Sequence, residues 1–314
     1  MCAQMKTRGF LPCPIYKERK MLLNYEEFKK QLVREIRTHA AEDVEIAICE
    51  IPKNNGVICE AVTLRRRGNR MAPAFYFEEY YDLCCEGETP EVIAAGILEQ
   101  FEREIPADVF STEFFLNWEN VKRRIYPKLI NYEMNRVQLE GMPHMRWMDL
   151  AVVFFCWLKE DVLENATVTI RNEHVAIWGI SCGQLSGAAM ENAQRDLPPY
   201  FGGLGELTGI VREEQEAGRP LPMYVLTNRK EQFGAACLLY PGMLERLSGR
   251  IRSDYYILPS SIHECIVVPV SGQFSSSELK EIVTEINKKF VHPQEVLADT
   301  VYEYSQKERR LIMR

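Results

Sequence analysis

The sequence predicts an α+β fold with mostly antiparallel sheets, on three observations. Its β-rich runs come in closely spaced pairs that read as hairpins. Helices with capping signatures and one apolar face stand between those pairs. Strands and helices do not alternate one for one, so a parallel doubly wound sheet is disfavoured. The chain reads as two halves of the same grammar, each an antiparallel hairpin with packed helices.

In the first half, Asn24 followed three residues later by Glu27 is a capping box, and Tyr25, Phe28, Leu32, Val33 and Ile36 mark one helical face. Val44, Ile46 and Ile48 alternate with Glu45, Ala47 and Cys49 as a half-buried strand. Asn54-Asn55-Gly56 then turns the chain into a second run, Val57 to Leu64. Phe75-Tyr76-Phe77 with Tyr80 and Tyr81 reads as a passage from strand to helix. Thr89-Pro90 supplies an N-cap and an N1 proline for a helix with Val92, Ile93, Ile97, Leu98 and Phe101 inward. A further helix is expected from Glu113, with Phe114, Phe115, Trp118, Val121 and Ile125 on one face, and another after Pro127 that stops near Gly141-Met142-Pro143.

In the second half, Thr167–Arg171 and His174–Ile180 form an expected second hairpin around Asn172-Glu173. Ser181 with Gln184 caps a helix facing inward through Leu185, Ala188 and Ala189. Asn192 falls on that same face, where a buried amide is expected to bond a neighbouring backbone group. Pro198-Pro199 and the glycines at 202, 203, 205 and 209 interrupt regular structure, and Arg212 to Arg219 reads as a solvated connection. There follow a strand at Met223–Leu226, a helix through Ala235–Leu239, a short helix closed by Gly249, and strands at Tyr255–Leu258 and Cys265–Val270. Ser275 with Glu278 caps a helix with Leu279, Ile282, Val283, Ile286 and Phe290 inward; Val296–Tyr304 closes the chain as strand or helix. The expected organisation is a loose leader over 1–20, an N-terminal α+β domain over 21–125 and a C-terminal one over 126–314, with one continuous body as the alternative.

Composition narrows the function classes. The 314 residues carry 38 Lys+Arg against 45 Asp+Glu, a net charge of −7, with 46% hydrophobic residues. This is ordinary globular composition, with no apolar run of membrane-spanning length and no overall basic footprint for nucleic acid. The ten cysteines never fall three apart, so C-x-x-C chemistry is absent, and their apolar settings fit reduced thiols in a cytoplasm. No metal and no cofactor is expected.

The string Tyr224-Val225-Leu226-Thr227-Asn228, then Gly234-Ala235-Ala236, then Tyr255 to Glu264 through Pro259-Ser260-Ser261-Ile262-His263-Glu264, resembles a bacterial family catalogued as domain of unknown function 5688. Pro52-Lys53-Asn54-Asn55-Gly56 and Met148–Phe154 look similar too, so the resemblance covers most of the chain after Met21. It implies a cytosolic protein of Gram-positive anaerobes and brings no catalytic residues with it.

Chemistry therefore has to be sought motif by motif. No Gly-Lys pair occurs, which removes the P-loop; no G-x-S-x-G elbow and no H-E-x-x-H is present; and Gly203-Leu204-Gly205 to Gly209 misses dinucleotide spacing by one residue. The most chemically loaded stretch is Pro259–Glu264. There Ser260, Ser261, His263 and Glu264 are candidate catalytic residues, set against the plainer reading that the serines bond the turn and His263 satisfies a nearby carbonyl. In extended geometry Ser261 and His263 share a side while Glu264 points away, so a remote acid is required. Asn228, His144 and Asp149 are candidate ligand-binding residues, with a convergence of His144, His263 and Asp149 as one possible arrangement. Arg65, Arg66, Arg67 and Arg70 are the candidate nucleic-acid contacts, against which stands the ordinary protective charge of a hairpin.

Three readings follow. The leading one is a non-enzymatic cytosolic protein that binds another protein or a small ligand, motivated by surface-capable Tyr76, Tyr80, Tyr81, Tyr255 and Tyr256. The alternatives are a hydrolase or transferase using Ser261 or His263, and a nucleic-acid-contacting accessory factor of a mobile element.

Overall fold

The computed structural model describes residues 2–3, 23–68, 72–104, 112–157, 166–203 and 223–314. It is α+β. Of the expected leader only Cys2–Ala3 is described, as strand β1. Arg70, Gly205, Gly209 and the expected connection at 212–219 lie outside the described residues.

Helix α1, Tyr25–His39, starts where the capping box places it: Asn24 accepts the Glu27 N–H, and Phe28, Leu32, Val33 and Ile36 are buried. Strands β2 (Val44–Pro52) and β3 (Ile58–Arg66) form the expected hairpin, with Ile46 opposite Leu64 and Ile48 opposite Val62. Asn55 and Gly56 adopt positive φ of 61° and 71° at its tip, the left-handed conformation for which Asn and Gly suit tight turns. Strand β4 (Ala74–Tyr76) runs directly into α2 (Phe77–Cys85), and α3 (Pro90–Glu104) buries Ile93, Ile97 and Phe101 while leaving Val92 exposed.

The single helix expected from Glu113 is two short ones, α4 (Thr112–Leu116) and α5 (Trp118–Val121), because the Asn117 side chain accepts the Glu119 N–H and restarts the helix. The helix expected after Pro127 is instead strand β5 (Ile125–Asn131), followed by a single turn, α6 (Arg136–Leu139). Pro127 is tolerated because β5 ends its row of hydrogen-bonded strands. Strands β6 (Met145–Trp147) and β7 (Leu150–Trp157) follow, then β8 (Ala166–Thr169).

The second expected hairpin is overturned. His174–Ile180 is mostly helix, α7 (Asn172–Trp178): His174 reaches back to the Arg171 N–H and Gly179, at φ 64°, ends the turn. β-branched composition is outweighed there by end signals at helical spacing. Helix α8 (Cys182–Asp196) starts at its Ser181–Gln184 box, and Pro199–Gly203, expected as a break, is strand β9. Strand β10 (Tyr224–Asn228) leads into a 3-10 turn at Gly234–Leu239. Helix α9 (Met243–Ile251) runs past Gly249 to Arg252, which takes the left-handed cap. Strands β11 (Tyr255–Leu258) and β12 (Cys265–Pro269), helix α10 (Ser276–Phe290), and strands β13 (Tyr302–Ser305) and β14 (Arg310–Met313) complete the described chain.

The chain gathers into two compact units, each assembled from separated segments. The first comprises Met1–Lys53, Ile58–Arg124 and Cys156–Thr169; the second comprises Asn54–Val57, Ile125–Phe155 and Ile170–Arg314. In the first, strands run in the order β2-β3-β4-β1-β8. Phe28, Leu32 and Ile36 of α1 pack with Val62, Leu64, Phe75, Ile97 and Phe101 as one core. In the second, the antiparallel order is β14-β13-β11-β12-β10-β9. Leu279 and Val283 of α10 pack on Tyr256, Leu258, Val268 and Val301 across one face of that sheet.

Both faces of β11 are covered, which corrects an expectation about its tyrosines. Tyr256 lies against the α10 core, while Tyr255 stacks on Tyr304 with ring centroids 5.0 Å apart. Tyr76 is also buried, and Tyr80 and Tyr81 are half-buried against the first core, so none of the five is a surface aromatic. Residues expected inward on α10 move the other way: Ile282, Ile286 and Phe290 are 38%, 41% and 78% exposed. Only the narrower stripe of Leu279, Val283 and Asn287 is buried, the first two against the sheet and Asn287 bonded to Ala298 O and Asp299.

Candidate functional site

The loaded stretch lies in the second unit, between β11 and β12. Its backbone is not extended: Ser261 forms a one-residue bridge to Val296, and the chain bends at Ile262 and His263. Three backbone bonds fasten the segment to the loop before β13 and a fourth to the 3-10 turn. The three are Ile262 N–H to Glu295 O, Ala298 N–H to Pro259 O and Leu297 N–H to Ser260 O, each at 2.9 Å; the fourth is Ala235 N–H to Ile262 O at 3.3 Å. The bend overturns the expectation that Glu264 points away from the serine, since its carboxylate accepts a hydrogen bond from Ser261 and feels His263.

His263 is held through Nδ1 and faces a carboxylate through Nε2. Its Nδ1 accepts the Phe233 N–H at 3.2 Å, which leaves the ring hydrogen on Nε2, and Nε2 lies 3.6 Å from Glu295 Oε1. The imidazole stacks on the Phe233 ring at 5.4 Å and 19°, and the Lys128 ammonium sits 4.5 Å from the centroid of that ring. Phe233 presents its N–H this way because it takes a left-handed φ of 53°. Glu295 thus stands where the sequence reading required a remote acid. Nothing in Pro293-Gln294-Glu295 marked it, because the pairing is made by two loops far apart in the chain.

The two carboxylates are driven in opposite directions. Burial pushes Glu264 up from the usual carboxylate range, and the nearby charges of Glu295 and Glu231 add to this, exceeding the pull of His263 and Ser261. Burial acts on Glu295 too. There the facing His263, together with the charges of His292 and Lys128, outweighs it and holds the carboxyl below its usual range.

The neighbouring strand end leaves no slack. Thr227 Oγ1 donates to His263 O at 2.8 Å. A Cβ on Gly234 would lie 2.1 Å from Thr227 Oγ1, 2.5 Å from His263 O and 2.7 Å from Asn228 N. Asn228, a candidate ligand residue, is 1% exposed and works as a turn clamp. Its amide donates to Gln232 O at 2.8 Å and its carbonyl accepts from Lys230 N–H at 2.9 Å. Ser261 Oγ accepts the His263 N–H at 3.0 Å, and Ser260 is buried.

The possible convergence of His144, His263 and Asp149 does not form. His144 Nδ1 is 2.9 Å from Met142 O and its ring faces Tyr132, whereas Asp149 accepts from Thr300 Oγ1 at 2.6 Å and from Tyr302 Oη. Among the described residues no group of three or more His, Cys, Asp or Glu stands ready to hold a metal ion. A cluster that no spacing foretold lies on the other side of the loop before β13. Asn55 donates through Nδ2 to Pro293 O at 2.8 Å and Val296 O at 2.6 Å, and Asn54 donates to Gln294 O at 2.9 Å. Asn135 exchanges bonds with Asn55, and Asn131 donates to Leu297 O at 3.0 Å. Asn192, as expected, donates to a backbone carbonyl, that of Ile125, at 2.9 Å.

The arginine cluster belongs to the first unit. Arg65 is paired with Glu45, and Arg66 with both Asp43 and Glu102, so acidic neighbours answer these two cations.

A family model described as "Family of unknown function (DUF5688)" matches residues 25–306 of the 314. The chain belongs to this family. No curated protein and no solved structure matches it. In this family member the matched span holds the Pro259–Glu264 turn, Asn228, Gly234 and Glu295 together with the asparagine cluster, while β14 lies beyond it. No helix among the described residues is long and apolar enough to cross a membrane.

Proposed function

We propose that this family member is a non-enzymatic, cytoplasmic binding protein whose partner is another protein or a small ligand. One observation carries the reading: the groups at the turn with acid–base or nucleophilic capacity are committed to bonds that hold the fold. His263 spends one nitrogen on the Phe233 N–H and turns the other toward Glu295, and Ser261 is tied to its own turn and to Glu264. A general base needs a lone pair that can reach a reacting proton, and the one on Nδ1 is taken by the Phe233 N–H. Cys84, Cys156, Cys237 and Cys265 are buried without a disulfide, which supports a reducing compartment.

Two measurements test the reading. Native mass spectrometry of the protein purified gently from its host is expected to show a reproducible bound mass. His263→Ala is expected to lower the melting temperature by several degrees without altering turnover of ester, phosphoester or peptide probes. Turnover by the wild type that vanishes in His263→Ala at unchanged melting temperature refutes it.

One observation favours a second reading, a hydrolase or transferase at the same turn. Carboxylates pushed up and pulled down beside one imidazole, as Glu264 and Glu295 are, suit a paired acid and base. That reading requires a bell-shaped pH–rate profile whose acidic limb disappears in Glu295→Gln. The nucleic-acid reading is the weakest, given the ion pairs of Arg65 and Arg66; it requires salt-sensitive binding that is lost when Arg65, Arg66 and Arg67 are changed together.

A further inference from the structure

Helix α10 offers an apolar flank that its own sheet does not cover. Ile282 and Ile286, four residues apart, lie beside the buried stripe of Leu279, Val283 and Asn287 and remain 38% and 41% exposed, with Phe290 at the helix end. At 100° per residue, Glu278 and Lys289 fall on the same flank, one at each end of the isoleucine pair, with the Glu278 carboxylate also accepting the Ser275 N–H at 2.7 Å and the Ser275 hydroxyl at 2.8 Å. Glu285 borders it and is ion-paired with Lys289. Single exposed apolar residues are ordinary on a protein surface. A ridge of this order, rimmed by charges whose sign changes from one end to the other, is what an antiparallel copy of itself would match.

We propose that this flank is a self-association surface on which two copies of the chain pair α10 antiparallel about a two-fold axis near Thr284. That axis sets Ile282 of one helix opposite Ile286 of the other, and Glu278 opposite Lys289, twice over. An isologous interface must be self-complementary, and this sequence is so in charge as well as in apolar pattern. Opposed helix dipoles favour the same orientation. A parallel pairing would put Glu278 against Glu278 and Lys289 against Lys289, so the charges select the antiparallel register. The proposal is independent of the binding reading above, which concerns a partner of different mass.

Sedimentation velocity across a concentration series into the high micromolar range tests it on the full chain. The wild type is expected to reach twice 36.4 kDa. Ile286→Glu and Ile282→Lys are each expected to weaken association at least tenfold with unchanged circular dichroism and melting temperature, since both positions are partly solvated. The double variant Ile282→Lys/Ile286→Glu is expected to recover it, because the register places the new lysine of one copy against the new glutamate of the other. A wild type that stays at 36.4 kDa throughout overturns the proposal. So does a dimer indifferent to both single changes, or one that the double variant fails to recover. In each of these cases a bound mass in native spectra still upholds the binding reading.

Discussion

Gly234→Ala adds one methyl group where the second unit has no room for it. The new Cβ would lie 2.1 Å from Thr227 Oγ1, 2.5 Å from the His263 carbonyl and 2.7 Å from the Asn228 nitrogen. The first of these can yield only by rotating Thr227 away from its 2.8 Å bond to His263 O. The other two are backbone atoms, fixed by the β10 strand end and by the turn that Asn228 clamps, so the 3-10 turn has to back off as a whole. Overpacking of this kind costs about 1–3 kcal/mol and the lost hydrogen bond about 0.5–1.5 kcal/mol more. A loss near 3 kcal/mol lowers the melting temperature of a domain of this size class by roughly 6–12 °C. The assay is thermal and urea unfolding followed by circular dichroism, with Gly187→Ala as the matched control. Gly187 lies inside α8 with no atom within 4 Å of its built Cβ, so the same methyl group there should stabilise, by about 0.4–1 kcal/mol. If Gly234→Ala melts with the wild type, the crowding around Thr227 and His263 does not constrain the fold.

Other expectations follow from the same structure. Burial, helped by the charges of Glu78 and Asp82 and only partly offset by Lys53, pushes Glu79 up to about 7. Its native state therefore holds a proton that the unfolded chain releases near pH 4.3, and stability falls as pH rises from there to about 7. Glu79→Gln should flatten that decline and raise stability at pH 8 by about 1–3 kcal/mol, readable in urea melts at pH 5 and 8. Burial also pushes the thiols of Cys237 and Cys156 up to about 12 and that of Cys265 well above its ordinary value. Exposed Cys85 should react with a thiol reagent at pH 8 in the native protein while these three wait for unfolding, and fast labelling of Cys265 would contradict the packing. Asn55→Ala removes the bonds to Pro293 O and Val296 O and places alanine at φ 61°. A loss of about 2–4 kcal/mol is expected, and proteolysis should cut first near 293–298.

The elements most legible in the sequence were those whose signals are local. Asn24, Ser181 and Ser275 each cap the helix they announce, because a side chain and an amide three residues apart settle the matter without tertiary help. The β2–β3 hairpin was legible for the same reason, its alternation and turn residues agreeing. Strand β5 was not: Ile125 to Ile130 has too short an apolar run to distinguish strand from helix, and only its pairing beside β7 decides. The width of the α10 buried stripe was overread because an amphipathic pattern shows which face is apolar, not how much of it a sheet can reach. In the candidate site, the Ser261–His263–Glu264 stretch could be picked out by residue type alone. Glu295 and Phe233 could not, since each reaches His263 from a different element, and neither could Lys128, which sits over the Phe233 ring.

The tip of the β2–β3 hairpin carries a consequence for how the chain is made. Asn54 and Asn55 bond carbonyls that lie 238 to 241 residues later. On a ribosome that tip emerges long before Pro293, Gln294 and Val296 exist, and its amides must stay solvated until those residues have been made. Loop-closure cost grows only slowly with such a span, so the delay bears on rate rather than on final stability. The Pro259–Glu264 turn therefore cannot be fastened before residues 293–298 have emerged, and a nascent chain halted before residue 293 should carry the turn's residues without their arrangement.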